Sequence, residues 1–170
     1  MIKPILKWPD SSLRVKCEAV SVFDDGLLTE AKDLVDTMNS AGGIGIAANQ
    51  IGLNKRIVAI KLQNESGEWL SDLILVNPEI VLSSGRQSLS EGCLSFPALT
   101  EIVPRALDVE VAFQHATGEA QTIKATGLQA VQLQHEIDHL DGVIFYDRMS
   151  RLKKKLFQSA LEKAWWVERK

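Results

Sequence analysis

The run Gln134-His135-Glu136-Ile137-Asp138-His139-Leu140-Asp141-Gly142 holds an H-E-x-x-H pattern. On an α-helix, residues four apart sit about 40° apart on one face, so His135 and His139 can grip one metal ion. Glu136 points to the flank of that face. There it can reach a metal-bound water without ligating the metal. The pattern also arises by chance on surface helices. Its neighbours argue against that here. Ala130, Leu133, Ile137 and Leu140 form one apolar stripe, and Leu128 and Val131 continue the histidine side. A helix apolar on both sides is expected to be buried. Buried imidazoles without partners are costly, and a metal removes that cost.

Catalytic metals of this type take three protein ligands and a water. A third histidine six residues after the second would complete a longer motif, but Phe145 stands there, although Gly142 matches. Glu162 is a further candidate, on a Lys-rich helix that reads as exposed. Cys93 is the better one. It lies in Ser90-Glu91-Gly92-Cys93-Leu94-Ser95-Phe96-Pro97, where glycine and proline let the backbone bend close to a metal. A thiolate suits Zn²⁺ or Fe²⁺. Taken alone, a single cysteine is more often a small buried hydrophobe.

A third stretch, Gly42-Gly43-Ile44-Gly45-Ile46-Ala47-Ala48-Asn49-Gln50, is no phosphate loop, because G-K-[ST] is absent and the glycine spacing is wrong. Gly43 and Gly45 permit close approach of another backbone. Gln50 adds a neutral donor and acceptor. On its own, the stretch reads as a connector from helix to strand.

These residues need a frame. The 170 residues suit one domain spanning 1–170, and 45% hydrophobic with 24% charged residues is ordinary globular composition. A net charge of −3 gives no general attraction to nucleic acid or membrane. No apolar run reaches a membrane span, and Pro4 and Pro9 break any signal-like segment, so a cytoplasmic location is expected. Two cysteines, Cys17 and Cys93, argue against a disulfide framework.

Residues 1–23 read as extended and irregular. Asp24 or Asp25 can cap a helix to about Asn39. Arg56–Leu62 and Leu70–Val76 read as strands around a turn at 64–67. Asn77-Pro78 is expected to end the second strand before a short one at Glu79–Leu82. Val109, Val111 and Phe113 alternate as in a half-buried strand, and Gln121–Ala125 follows a turn. The H-E-x-x-H helix runs from Gly127 to Asp141. After the apolar Val143–Tyr146, a last helix spans Ser150–Glu168, with Leu152, Leu156, Ala160 and Ala164 along one face. The expected fold is α+β. Antiparallel sheets pack around a central buried metal-binding helix, with an N-terminal and a C-terminal helix.

Three segments together resemble bacterial peptide deformylases. Gly43 to Gln50 is similar to the family's G-x-G-x-A-A-x-Q, Glu91-Gly92-Cys93-Leu94-Ser95 to E-G-C-L-S, and Gln134 to His139 to Q-H-E-x-D-H. Order and spacing agree, and the resemblance covers almost the whole chain. It implies that Cys93, His135 and His139 bind one divalent metal ion, Fe²⁺ in the cell in many members, which Zn²⁺ or Ni²⁺ can replace. It implies removal of the formyl group from the N-terminal formyl-methionine of nascent peptides, with formate released. Glu136 would be the general base, and Gln50 and the Leu94 N–H would meet the oxyanion. The peptide would lie extended beside Gly43, Ile44, Gly45 and Gly92, with the methionine side chain among Ile44, Leu89, Leu128, Val131 and Gln132. Two positions depart from familiar members: Gln132, where cysteine or a less polar residue is usual, and Thr100, where some carry arginine. Glu91 and Arg105 are expected to pair and fix the cysteine loop.

Two other readings remain open at this level. A zinc peptidase would need a third ligand other than Cys93 and leaves the Gly43–Gln50 segment unexplained. A closed metal-binding module would want a fourth ligand, and only Cys17 and His115 are spare among cysteines and histidines. The basic run Arg148, Arg151, Lys153, Lys154 and Lys155 reads first as a solvated helix face. Its sharper reading is a ribosome contact, because the C-terminal helix of some bacterial members docks near the exit tunnel. Trp165 and Trp166 could then pack the helix or join the contact. No membrane or sequence-specific nucleic-acid partner is expected, and the protein is expected to be a monomer.

Overall fold

The computed structural model describes residues 1–64 and 66–168, with side chains at all of these except 98 and 164–168. Trp165 and Trp166 therefore have side chains outside the described residues, and so does Glu65 of the first turn. Strands β1 (Gly45–Ala47), β2 (Ile57–Gln63), β3 (Trp69–Ser84), β6 (Asp108–Gln114) and β7 (Ala120–Thr126) form one antiparallel sheet in the order β1-β2-β3-β6-β7. Strands β4 (Gln87–Cys93) and β5 (Phe96–Arg105) form a separate hairpin closed by Leu94 and Ser95. Helices α1 (Asp25–Ser40), α2 (Gly127–Leu140) and α3 (Arg151–Glu168) complete the α+β architecture.

Strand β2 is buried on both faces. Val58 and Ile60 pack with Ala130, Leu133, Ile137 and Leu140 of α2, whereas Ile57 and Ala59 pack with Leu27, Leu34 and Met38 of α1. The period of two sends alternate side chains to opposite layers. In α1, the Asp24 carboxylate accepts from Leu27 N–H at 2.9 Å and satisfies one of the first-turn donors.

Every residue of α2 from Ala130 to Leu140 is buried, including Gln132, Gln134, His135, Glu136, Asp138 and His139. Burial of Leu133, Ile137 and Leu140 contributes about 2 kcal/mol each. That gain helps to offset the desolvation of the polar side. The helix stops by a paired C-terminal motif: Val143 N–H donates to Asp138 O at 2.9 Å and Gly142 N–H to His139 O at 3.0 Å. Gly142 has φ +71°, and a Cβ there would stand 2.4 Å from the Arg14 carbonyl oxygen, so both backbone angle and close approach demand glycine.

Several expectations are corrected. Asn77-Pro78 does not end a strand. β3 runs through it as a bulge, with Asn77 at φ +51° and a register shift between Val76 and Glu79. Asn77 keeps the break paired through its side chain, which exchanges bonds with Val20 N–H (2.8 Å) and O (2.9 Å). Strands β1, β4 and β5 are additional to those expected. The face of α3 that packs inward carries Phe157 and Leu161, whereas Leu152 and Leu156 are exposed. Phe157 joins Phe96 and Phe145 in an aromatic cluster beneath the hairpin, and that contact fixes which side of α3 turns inward.

The first twenty residues are not a loose tail. Leu6 N–H donates to Gln50 O at 2.8 Å, Trp8 N–H to Ser95 O at 3.0 Å and Cys17 N–H to Leu140 O at 2.8 Å. Arg14 pairs with Asp147 in the 3-10 turn Phe145–Arg148.

Candidate metal centre

Cys93 ends β4 at the hairpin turn, and α2 brings His135 and His139 beneath it. One ligand atom from each of the three lies within 4.8 Å of the others, and Cys93 Sγ is 3.3 Å from His139 Nε2. The H-E-x-x-H spacing does what the helix predicts, with ring centroids 5.0 Å apart. His135 Nδ1 lies 2.8 Å from Glu91 Oε2, so its Nε2 is the nitrogen left for the site. Asn49 Nδ2 donates to His139 O at 2.6 Å and ties the end of α2 to the segment after β1.

The donor set suits a divalent metal. Sulfur with two imidazoles is the chemistry of zinc, iron or nickel sites, and three protein ligands leave a position open. A buried Glu136 Oε2 and a buried His139 Nδ1 have no hydrogen-bond partner among the described residues. An unpartnered buried carboxylate oxygen beside an open position is what a bound water would satisfy.

Charges within the site pull the groups apart. Burial opposes a charged His135, but the contacts with Cys93 and Glu91 outweigh it and raise its pKa well above the ordinary value. Burial, with the neighbouring His135 and Arg105, pushes His139 well below. Burial pushes Glu136 up to about 7, which suits a group that takes and returns a proton near neutrality. For Glu91, burial acts upward, but bonds from His135 and Arg105 prevail and hold it low.

Gln50 turns its Nε2 inward. Its Oε1 accepts from Ala47 N–H at 2.8 Å, while Nε2 donates to Ser95 Oγ at 3.1 Å and lies 3.6 Å from Cys93 Sγ. The Lys7 ammonium bonds the Leu94 carbonyl on the same turn. A groove of about 650 Å³ opens onto these residues, with Gly43, Ile44, Gly45, Gln50, Gly92 and Leu94 among its walls. Thr100 also lines it. A smaller recess of about 90 Å³ beside His135 is lined by Ile44, Gly92, Leu128, Val131 and Gln132. Leu89 lines neither. It sits half-buried on β4 opposite Val103. Gln132 uses its amide nitrogen on Ile44 O and Lys61 O, so this polar residue is anchored to β2 and to the residue before β1 rather than loose in the recess.

Glu162 is exposed on α3, and Phe145 is buried in the aromatic cluster with its ring 5.8 Å from that of His135. Neither belongs to the ligand set. His115 bonds Gln121 at the sheet's far edge, and Cys17 is buried in the core. Sequence reasoning missed Ser95, which partners Gln50, and Asp138 and Arg148, which extend the Glu91–Arg105 pair. The aspartate was visible inside Q-H-E-x-D-H, but nothing in its spacing names Arg148 as its partner.

Residues 2–155 match the family model described as Polypeptide deformylase. The chain is 40% identical over 163 residues to a peptide deformylase of Xylella fastidiosa (strain M12), covering 94% of each. It is 42% identical over 162 residues to one of Alkalilimnicola ehrlichii, covering 95% of this chain and 90% of the relative. A crystal structure of a peptide deformylase from Legionella pneumophila superposes with a TM-score of 0.90 at 39% identity, covering 100% of this chain and 99% of that one.

Proposed function

This chain belongs to the polypeptide deformylase family, hydrolases that remove the N-terminal formyl group of formyl-methionyl peptides, and we propose that Cys93, His135 and His139 hold the metal for that reaction while Glu136 moves the proton. The observation that carries this assignment is the convergence of the three ligand atoms beside the unpartnered Glu136 oxygen. A divalent metal held there supplies Lewis acidity, which makes a water nucleophilic near neutral pH.

The chain's own groups do the rest. Among the described residues β1 is paired only with β2, and β4 only with β5, so each presents a free edge. With Gly43 and Gly92 in the groove wall, these edges accept an extended peptide main chain. Ile44, Leu128, Val131 and Gln132 receive the methionine side chain. Glu136 takes a proton from the attacking water. Oxygen bonds to the formyl carbon, and the developing oxyanion accepts from Gln50 Nε2 and the Leu94 N–H. Glu136 then returns the proton to the amide nitrogen as the C–N bond breaks, which leaves formate and a free amino terminus. Gln50 is preset for this by its bonds to Ala47 and Ser95, so little reorganisation is needed.

Fe²⁺ is our reading for the metal in the cell, with Zn²⁺ or Ni²⁺ able to replace it. We place the protein in the cytoplasm as a monomeric single domain acting on nascent chains. No helix among the described residues is long and apolar enough to cross a membrane. The basic side of α3 carries our suggestion of a ribosome contact. The test is formate release from a formyl-methionyl peptide by anaerobically purified protein, with metal content measured on the same sample. Cleavage of an unblocked peptide, or no formate at full metal occupancy, would overturn the assignment.

A further inference from the structure

His135 is the inner end of a chain of charged contacts that runs out to the surface. Its Nδ1 meets Glu91 Oε2 at 2.8 Å. Arg105 grips the same carboxylate through Nε (2.7 Å) and Nη2 (3.0 Å), and its Nη1 bonds Asp138 Oδ2. Arg148 then takes Asp138 with Nε on Oδ2 at 3.0 Å and Nη2 on Oδ1. Glu91, Arg105 and Asp138 are buried, whereas the Arg148 side chain is 49% exposed. Four elements take part: β4, the end of β5, α2 and the turn Phe145–Arg148.

From these contacts we propose that Arg148 is a positioning residue for the metal centre, acting through Asp138, Arg105 and Glu91 on the His135 ring. The inference rests on His135 being a metal ligand, as proposed above. The reason is charge. Glu91 and Asp138 are two buried carboxylates that share one buried guanidinium. Arg148 supplies the second positive charge and makes the cluster neutral. Without it, Asp138 is under-paired in a low-dielectric setting and competes for Arg105. Any shift of Arg105 towards Asp138 loosens its fork on Glu91, and Glu91 is what fixes the ring and tautomer of His135. Arg148 lines a cavity of about 540 Å³ with Arg105, Asp138 and Asp147. Among the described residues that cavity shares no lining residue with the metal groove or its recess, so Arg148 is placed to act through its neighbours rather than on the substrate.

The test uses the full chain with Co²⁺ as the probe. Its dissociation constant is measured by chelator competition, and its visible spectrum reports ligand geometry. Arg148→Met should weaken Co²⁺ binding about tenfold and alter the spectrum, the scale of a lost outer contact. Asp138→Asn added to Arg148→Met restores neutrality, because Arg105 then balances Glu91 alone. The double variant should bind Co²⁺ more tightly than Arg148→Met by itself. Unchanged affinity and spectrum in Arg148→Met, or losses that simply multiply in the double variant, would overturn the proposal. Should Arg148→Met fail to fold, Arg148→Lys keeps the charge but cannot grip both oxygens. It should lose about threefold, and an unaltered dissociation constant would be fatal. If Cys93→Ala binds Co²⁺ as well as the unmodified protein, the ligand assignment itself fails and takes this inference with it.

Discussion

Gly45 lies so close to Glu136 that a Cβ on it would stand 2.5 Å from Glu136 Oε1 and 3.0 Å from its Cγ and Cδ. The carboxylate occupies the space that a side chain on β1 would take. Gly45→Ala should therefore push Glu136 aside and leave the ligands in place. A displacement of about 1 Å in a catalytic group can cost about 10²-fold in rate. Turnover should fall on that scale with metal content unchanged. Normal turnover in a fully metallated variant would show that Glu136 does not depend on this gap.

Glu136→Gln keeps the shape of the side chain but removes the proton acceptor. The variant should hold metal and bind peptide, yet lose about 10²-fold or more in turnover. Parallel binding and steady-state measurements check this. Near-normal rates would take Glu136 out of the proton path.

Cys93→Ala, His135→Ala and His139→Ala should each lose most bound metal and nearly all activity, because two ligands seldom retain a catalytic metal. Metal analysis of each variant decides. A fully loaded Cys93→Ala protein would remove the sulfur from the ligand set.

The two cysteines should part company in air. Burial pushes the Cys17 thiol up to about 11, so it is a poor nucleophile and a poor target for oxidants. Cys93 faces the groove. An iron-loaded sample should lose activity in air, with added oxygen found on the Cys93 peptide before the Cys17 peptide. Zinc has no redox chemistry, and a zinc-loaded sample should keep whatever activity it has. Equal decay of the two samples, or oxidation confined to Cys17, would contradict this.

Asp147 should show in the acid limb of stability. Burial acts to raise its pKa, but Arg14 and the Ile144 N–H (3.0 Å) prevail and hold it below the ordinary 3.8. A carboxyl with a lowered folded pKa contributes stability above its unfolded pKa and loses it as pH falls through the folded one. Asp147→Asn should cost about 1 kcal/mol at neutral pH. The gap between variant and parent should close as pH drops below 3.8. Denaturant titrations at several pH values test this, and a gap constant down to acid pH would refute it.

Much of the centre was legible because helical spacing is a strict geometry. His135, Glu136 and His139 could be placed on α2 relative to one another before any coordinates. The apolar stripes of Ala130, Leu133, Ile137 and Leu140 announced its burial. Cys93 became convincing only through the resemblance, because the hairpin that presents it is not patterned for a core. Gln87–Cys93 alternates in burial, but serines, glutamate and glycine fill most of its positions, and Cys93 packs against a cluster built from distant Phe145 and Phe157. Asn77-Pro78 misled for a related reason. Proline forbids a regular ladder but not a bulge, and the Asn77 side chain supplied the bonds that the backbone could not. On α3, Leu152 and Leu156 face solvent because Phe157 and Leu161 take the inward face.

The contacts of the first twenty residues also join segments made far apart in time. Arg14 waits for Asp147, Cys17 for Leu140 and Trp8 for Ser95. A ribosome making this chain from its N-terminus delivers Leu140 and Asp147 long after Cys17 and Arg14, so those two contacts wait for α2 and the following turn, whereas Leu6 can meet Gln50 early. Closing such large loops is slow compared with forming local helices. The strand edges and the helix can therefore meet only after α2 has emerged. Partial chains carry the glycine segment and even the cysteine turn, but no centre.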